Sequence, residues 1–179
     1  MDSYFTTKVP ESICDIASAE LNEIESITGK LKDNTEINLE VRNSTIKFAP
    51  DWYWFNGVLN QIVAEANFKA GWNFILNKLE TVQYSEYKSG QHYNWHIDTK
   101  LMSDGAFDRK ITVICAMNSL DEYTGGQLEI KSLENEIIRP KLNKGDVIVF
   151  PSFLLHRVTP VKSGVRYSAT MWLSGPAFR

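Results

Sequence analysis

Cysteine and histidine are both scarce in this 179-residue chain: Cys14 and Cys115, then His92, His96 and His156. Two cysteines far apart exclude a disulfide framework, and the lack of any C-x-x-C makes a redox pair the lesser reading. Cys14 falls in a helical pattern and Cys115 in an apolar strand, so both read as buried structural thiols in a reducing compartment. No apolar run approaches the roughly 20 residues of a membrane-spanning helix. The start, MDSYFTTKVPESIC, has neither the basic nor the apolar region of a signal peptide. Basic residues number 19 against 22 acidic ones, for a formal charge of -3. That balance argues against a broad basic face for nucleic acid but leaves room for a local basic pocket. The expectation is a cytoplasmic protein with neither nucleic-acid nor membrane partners. Repeats, low-complexity segments and linkers are missing too. With 43% hydrophobic residues, residues 1–179 read as a single α+β domain with a sizeable core.

Apolar residues Ile13, Ile16, Ala17, Leu21, Ile24 and Ile27 recur at the spacing of one helix face, with Pro10 before them and Gly29 as a stop. A second helix is expected over about 56–68, where Val58, Leu59, Ile62, Val63 and Ala66 share a side. Between them LEVRNSTIKF reads as a strand. From about residue 74 short strands take over, separated by turn signals such as Thr124-Gly125-Gly126 and Asn143-Lys144-Gly145-Asp146. Residues 1–73 are thus a helical support and 74–179 a β-rich core, with helices packed outside a β-roll.

Three histidines make the position of each informative. In HYNWHID, residues 92–98, His96 and Asp98 stand two apart. On a strand that spacing aims both side chains to one face, about 7 Å apart along the chain. A third ligand from a distant strand would complete two histidines and one carboxylate on one face of an octahedral ion, leaving positions open, as in non-haem iron(II) oxygenases. His156, after the apolar run DVIVFPSFLL, is the only remaining candidate besides His92. His92 and His96 could also form an H-x-x-x-H zinc pair on a helix, but no glutamate follows His92 and the segment is aromatic and β-branched. Arg166 opens the otherwise apolar strand RYSATMWL. A guanidinium entering a core needs an anion, either a ligand or a protein carboxylate.

Taken together, H-I-D at 96–98, GGQLEI at 125–130, KGDVIVFPS at 144–152, His156 and R-Y-S at 166–168 make the stretch from Leu79 to Leu173 resemble the iron(II)- and 2-oxoglutarate-dependent dioxygenases of the prolyl 4-hydroxylase-like superfamily. The resemblance implies a double-stranded β-helix, or jelly-roll, core. It makes His96, Asp98 and His156 the iron ligands and Arg166 the partner of the distal 2-oxoglutarate carboxylate, with Ser168 and Tyr87 beside it. Tyr93 and Trp172 match positions that line the metal pocket. VRNS, residues 41–44, looks like the family's Arg-x-Ser loop, making Arg42 and Ser44 candidates for substrate binding. One departure is Ala116, near where some relatives carry a second co-substrate tyrosine. Trp52, Tyr53 and Trp54 either wall a peptide groove or join the core.

The resemblance further implies iron(II), 2-oxoglutarate and dioxygen, with ascorbate as a supporting reductant, and hydroxylation of an unactivated C–H bond with release of succinate and carbon dioxide. The expected substrate is a prolyl residue in a peptide or protein, with a free amino acid or other small molecule as the alternative. A zinc hydrolase on the same three ligands and a non-catalytic β-roll binding protein are the competing readings. The hydrolase has no evident use for Arg166 unless its substrate is anionic, and an intact triad with the arginine counts against the binding protein.

Overall fold

The computed structural model describes residues 1–28, 39–99 and 107–178. Its larger sheet runs β1 (Phe5–Lys8), β12 (Asp146–Pro151), β8 (Phe107–Ala116), β15 (Arg166–Pro176), β6 (Gln83–Tyr87), β4 (Thr45–Phe48) and β2 (Ile27–Thr28), with β5 (Lys78–Leu79) also on β15. The smaller sheet runs β11 (Ile137–Ile138), β10 (Leu128–Lys131), β13 (His156–Val158), β7 (His92–His96) and β3 (Arg42–Asn43). A separate pair joins β9 (Tyr123–Gly125) to β14 (Val161–Gly164). The pairings are antiparallel, including the long β8–β15 ladder. This is a jelly-roll core with two helices outside it among the described residues, as expected.

The helices are α1 (Glu11–Asn22) and α2 (Trp54–Lys69). Cys14, Ala17 and Leu21 of α1 and Phe55, Leu59, Val63 and Ala66 of α2 are buried, spaced three or four apart as one helix face requires. They pack with Ile111, Val113 and Cys115 of β8 and Val147 and Val149 of β12. The alternate residues Ile114, Ala116, Ile148 and Phe150 form a second core with Leu128 and Ile130 of the smaller sheet. Strands buried on both faces have no reason to alternate with polar residues, which explains the near-continuous apolar runs KITVICAM and DVIVF.

Two local expectations change. The apolar spacing carries the first helix toward Gly29, but α1 ends at Asn22 and Ile27 pairs with Ile46 in the sheet. The β-branched Ile27-Thr28 suits a strand, and Ile24 still packs on the core beyond the helix end. Gly29 itself lies outside the described residues. The first third also supplies more than helices: β1 pairs Phe5 to Lys8 with Val149 to Asp146. Trp52, Tyr53 and Trp54 lie at the start of α2; Tyr53 is buried and its hydroxyl donates to Glu20, while Trp52 is exposed. Among the described residues no helix is long and apolar enough to cross a membrane.

Asn56 fastens α2 to the larger sheet. Its Oδ1 accepts the Val82 N–H at 2.9 Å, and its Nδ2 donates to the Pro50 and Asp51 carbonyls at 3.2 and 3.1 Å. Asn56 and Val82 are both buried. Asn56→Ala leaves the Val82 donor without a partner and is expected to lower stability by about 1–3 kcal/mol. Urea unfolding would measure it, with the slope unchanged.

Candidate metal centre

The site begins with a strand register. In the β13–β7 ladder His156 stands directly opposite His96, and two residues on, Val158 stands opposite Tyr93. Three residues of β7 therefore span two of β13, a bulge that turns both Tyr93 and His96 inward despite their odd spacing. Asp98 follows where β7 ends, its N–H held by the Ser152 carbonyl at 2.9 Å. Each histidine makes a local bond that points its other nitrogen inward: Nδ1 of His96 meets the Asn94 carbonyl at 2.7 Å, and Nδ1 of His156 the Leu154 carbonyl at 2.9 Å. The two Nε2 atoms lie 3.7 and 3.3 Å from the Asp98 oxygens. One ligand atom from each of the three residues falls within 4.8 Å of the others. Two neutral imidazoles and a carboxylate, with their Nδ1 atoms engaged, are a donor set that fits a divalent iron ion with open positions.

Without a metal the three groups balance one another. Burial and then the neighbouring His156 push His96 down to about 3. Burial opposes ionisation of Asp98, but His156, by charge and hydrogen bond, outweighs it and holds the carboxyl below its usual range. Burial likewise opposes protonation of His156, and Asp98 outweighs that, so His156 is raised. Thr112 of β8 donates to Asp98 Oδ2 at 2.8 Å and contacts the Ser152 hydroxyl at 2.9 Å.

The walls of the pocket bring most of the expected residues together. Arg42, Tyr87, Tyr93, Arg166, Ser168 and Trp172 line it with the triad. Arg166 is 4% exposed; its Nη1 donates to Ser168 Oγ at 3.0 Å, and Tyr87 is its cross-strand partner. Tyr93 stacks on His96, the ring centroids 3.5 Å apart, and the Arg42 guanidinium lies over Tyr93 at 4.7 Å. Burial pushes the Tyr93 phenol up to about 12. Ser44 does not line the pocket; it accepts from Arg42 Nε at 3.0 Å. Arg42 is 6% exposed, and its buried Nη2 has no hydrogen-bond partner among the described residues. Arg109 covers the Trp172 ring at 3.9 Å and is itself ion-paired with Glu80. His92 stands apart, its Nε2 3.1 Å from the Glu40 carbonyl. Thr112, Gln83 and Thr170, also at the site, carry no motif and were not expected from sequence.

Residues 82–174 match the sequence model of the 2OG-Fe(II) oxygenase superfamily. The chain belongs to this family. The match includes His96, Asp98, His156 and Arg166. Among curated proteins, a PKHD-type hydroxylase of Synechococcus sp. (strain CC9605) is 33% identical over 99 residues, 55% of this chain and 44% of that protein. The chain spans about half the length of the curated relatives it matches. Of solved structures, a Pseudomonas putida prolyl-4-hydroxylase superposes with a TM-score of 0.74 at 18% identity, covering 97% of this chain and 93% of the other. A Trichoplax adhaerens prolyl hydroxylase, solved in complex with a peptide fragment of the hypoxia inducible factor oxygen degradation domain, gives 0.74 at 18%, covering 96% and 83%.

The electrostatics give this site a titration that can be observed directly. In the metal-free protein, proton-detected imidazole resonances of His96 are expected to stay in the neutral form down to about pH 3. Those of His156 should keep their proton above the ordinary histidine value of 6.5. The raised His156 value adds stability below pH 6.5 that is lost as pH rises through its folded value. His96 protonating before His156 would contradict this account.

Proposed function

We propose that the chain hydroxylates a prolyl ring with iron(II) and 2-oxoglutarate, through His96, Asp98 and His156 as the metal ligands. The observation that carries the reading is the convergence of the three ligand atoms within 4.8 Å, in the pocket that also holds the buried Arg166. When bound, iron(II) and 2-oxoglutarate with dioxygen supply oxidative decarboxylation to succinate and carbon dioxide, coupled to insertion of one oxygen into a C–H bond. Ascorbate would sustain repeated turnover. The chain's own residues bind, orient and keep water out.

Arg166 presents a planar fork suited to the distal carboxylate of 2-oxoglutarate, in an environment where no protein acid lies against it among the described lining residues except Asp98. Ser168 braces the guanidinium and Tyr87 flanks it. Thr112 holds the Asp98 carboxylate in one orientation, and the Tyr93 ring fixes the plane of the His96 imidazole. Trp172, under the Arg109 guanidinium, would help to keep water from the site. Arg42, braced by Ser44, would face the substrate.

Prolyl hydroxylase neighbours, one of them holding a peptide, support a peptide substrate. A specific observation favours a second reading, a substrate with a free carboxylate. The Arg42 Nη2 donor is buried and unpaired, and two arginines line the pocket against one acid among the described residues. The iron ion with Asp98, and Arg166, together match the two charges of 2-oxoglutarate, which leaves Arg42 as a surplus cation. A carboxylate would neutralise it; a peptide carbonyl would only accept a hydrogen bond.

The test incubates the iron-loaded protein with 2-oxoglutarate, ascorbate and four substrates: a peptide with internal proline, one ending in proline as the free acid, its amide, and free L-proline. Succinate release and a mass gain of one oxygen are the readouts. Turnover of the internal prolyl peptide supports the first reading; turnover of only the free acids supports the second. No succinate with any substrate, together with hydrolysis in the presence of zinc, would overturn both. Alanine at His96, Asp98 or His156 is expected to abolish turnover, and His92→Ala to keep most of it.

Arg166→Lys retains the charge but loses the bidentate fork. Charge-assisted hydrogen bonds are worth about 1.5–3 kcal/mol each. Loss of one should weaken 2-oxoglutarate binding roughly ten- to a hundredfold while metal binding persists. An unchanged 2-oxoglutarate titration would assign Arg166 a structural role instead.

A further inference from the structure

The two cysteines, far apart in sequence, meet in the fold. Cys14 on α1 and Cys115 on β8 bring their sulfurs to 3.8 Å, and both residues are 0% exposed. Both belong to the core between the helices and the larger sheet. A disulfide needs the sulfurs at about 2.05 Å, so a contraction of roughly 2 Å or less, shared between side-chain rotation and a small shift of α1, is sufficient. We propose that Cys14 and Cys115 are a redox-modification site, in which a small hydroperoxide converts the thiol pair to a disulfide that ties the first helix to a central strand of the larger sheet.

The environment of the pair is asymmetric, and the asymmetry assigns the roles. Lys144, ion-paired with Asp15 beside Cys14, puts a cation near one thiol only. The hydrogen bond from Cys115 is the main influence lowering Cys14; burial opposes it and Lys144 assists. The same hydrogen bond, together with burial, raises Cys115. Cys14 is therefore the thiolate that attacks and Cys115 the thiol that resolves. In the first step the Cys14 sulfur attacks one peroxide oxygen, the O–O bond breaks, and after proton transfer the products are Cys14 sulfenic acid and water from hydrogen peroxide, or the corresponding alcohol from an organic hydroperoxide. In the second, the Cys115 sulfur displaces that hydroxyl, the S–S bond forms, and a water leaves with the Cys115 proton. Two thiols are oxidised by two electrons and one hydroperoxide is reduced.

The partner's proximity matters because sulfenic acid left alone goes on to sulfinic and sulfonic acids, which thiols do not reverse. A resolving thiol at 3.8 Å intercepts Cys14 at the reversible stage. For a protein whose chemistry consumes dioxygen, this preserves the core from permanent oxidation. The bond would also close a long loop, from residue 14 to residue 115, and restrict the unfolded chain. The inference stands on the thiol geometry and does not depend on the substrate reading.

The experiment uses the full chain, treated with excess hydrogen peroxide under a metal chelator. Intact mass is expected to fall by two hydrogens, and proteolysis without reductant to yield one peptide pair joined through Cys14 and Cys115. The melting temperature should rise by roughly 10 °C and return after dithiothreitol. Cys115→Val, which removes the resolving thiol with little change of volume, should instead leave Cys14 gaining oxygen atoms with no rise in melting temperature. If that variant does not fold, the wild-type mass decides alone. A folded wild-type protein that gains oxygen at Cys14, or that keeps two thiols open to alkylation after unfolding, overturns the proposal.

Discussion

The pairing of His96 with His156 across β7 and β13 is the constraint on which the site depends. Neither imidazole is brought in by a loop; each is a rung of the same ladder, so their separation is set by backbone hydrogen bonds. Asp98 joins them because Ser152, at the end of the adjoining strand β12, accepts the amides of both Asp98 and Thr99. The two sheets thus meet at these three side chains. A centre held in this way is preorganised, and much of the ordering a metal would otherwise impose is complete before it arrives.

The walls follow from the same geometry. β15 and β6 bring Arg166 and Tyr87 into register, and β3 pairs Arg42 with Tyr93, so that polar groups at the site descend from strand alignment. Arg42, Tyr93 and His96 make a continuous stack of guanidinium, phenol and imidazole. Such a stack holds the imidazole plane by packing as well as by its bond to Asn94.

Much of this was legible in the sequence. His96, Asp98 and His156 stood out because histidine is rare in the chain and H-x-D has a geometric meaning on an extended segment; Arg166 stood out as a charge entering an apolar run. The jelly roll was legible in strand spacing and turn residues. What could not be read depends on tertiary context. A bulge leaves no mark in composition, so simple alternation puts Tyr93 and His96 on opposite faces. Thr112 is an ordinary strand residue until β8 is set beside Asp98. The short strand Phe5–Lys8 has too few residues for a periodic signal, and the first helix stopped early because Ile27 found a sheet partner. The cysteines carried no motif, and only the packing of α1 on β8 makes them neighbours.

β8 is covered on both sides, by helices on one and by the pocket and second core on the other. Its odd-numbered residues, Ile111, Val113 and Cys115, answer to the helices, while Thr112, Ile114 and Ala116 answer to the interior of the roll. Substitutions along a single strand therefore sort by parity: one register of positions can drift with the packing of α1 and α2, the other with the ligand-side chemistry. Evolution can retune the interior for a different substrate along the even positions without first rebuilding the scaffold that supports it.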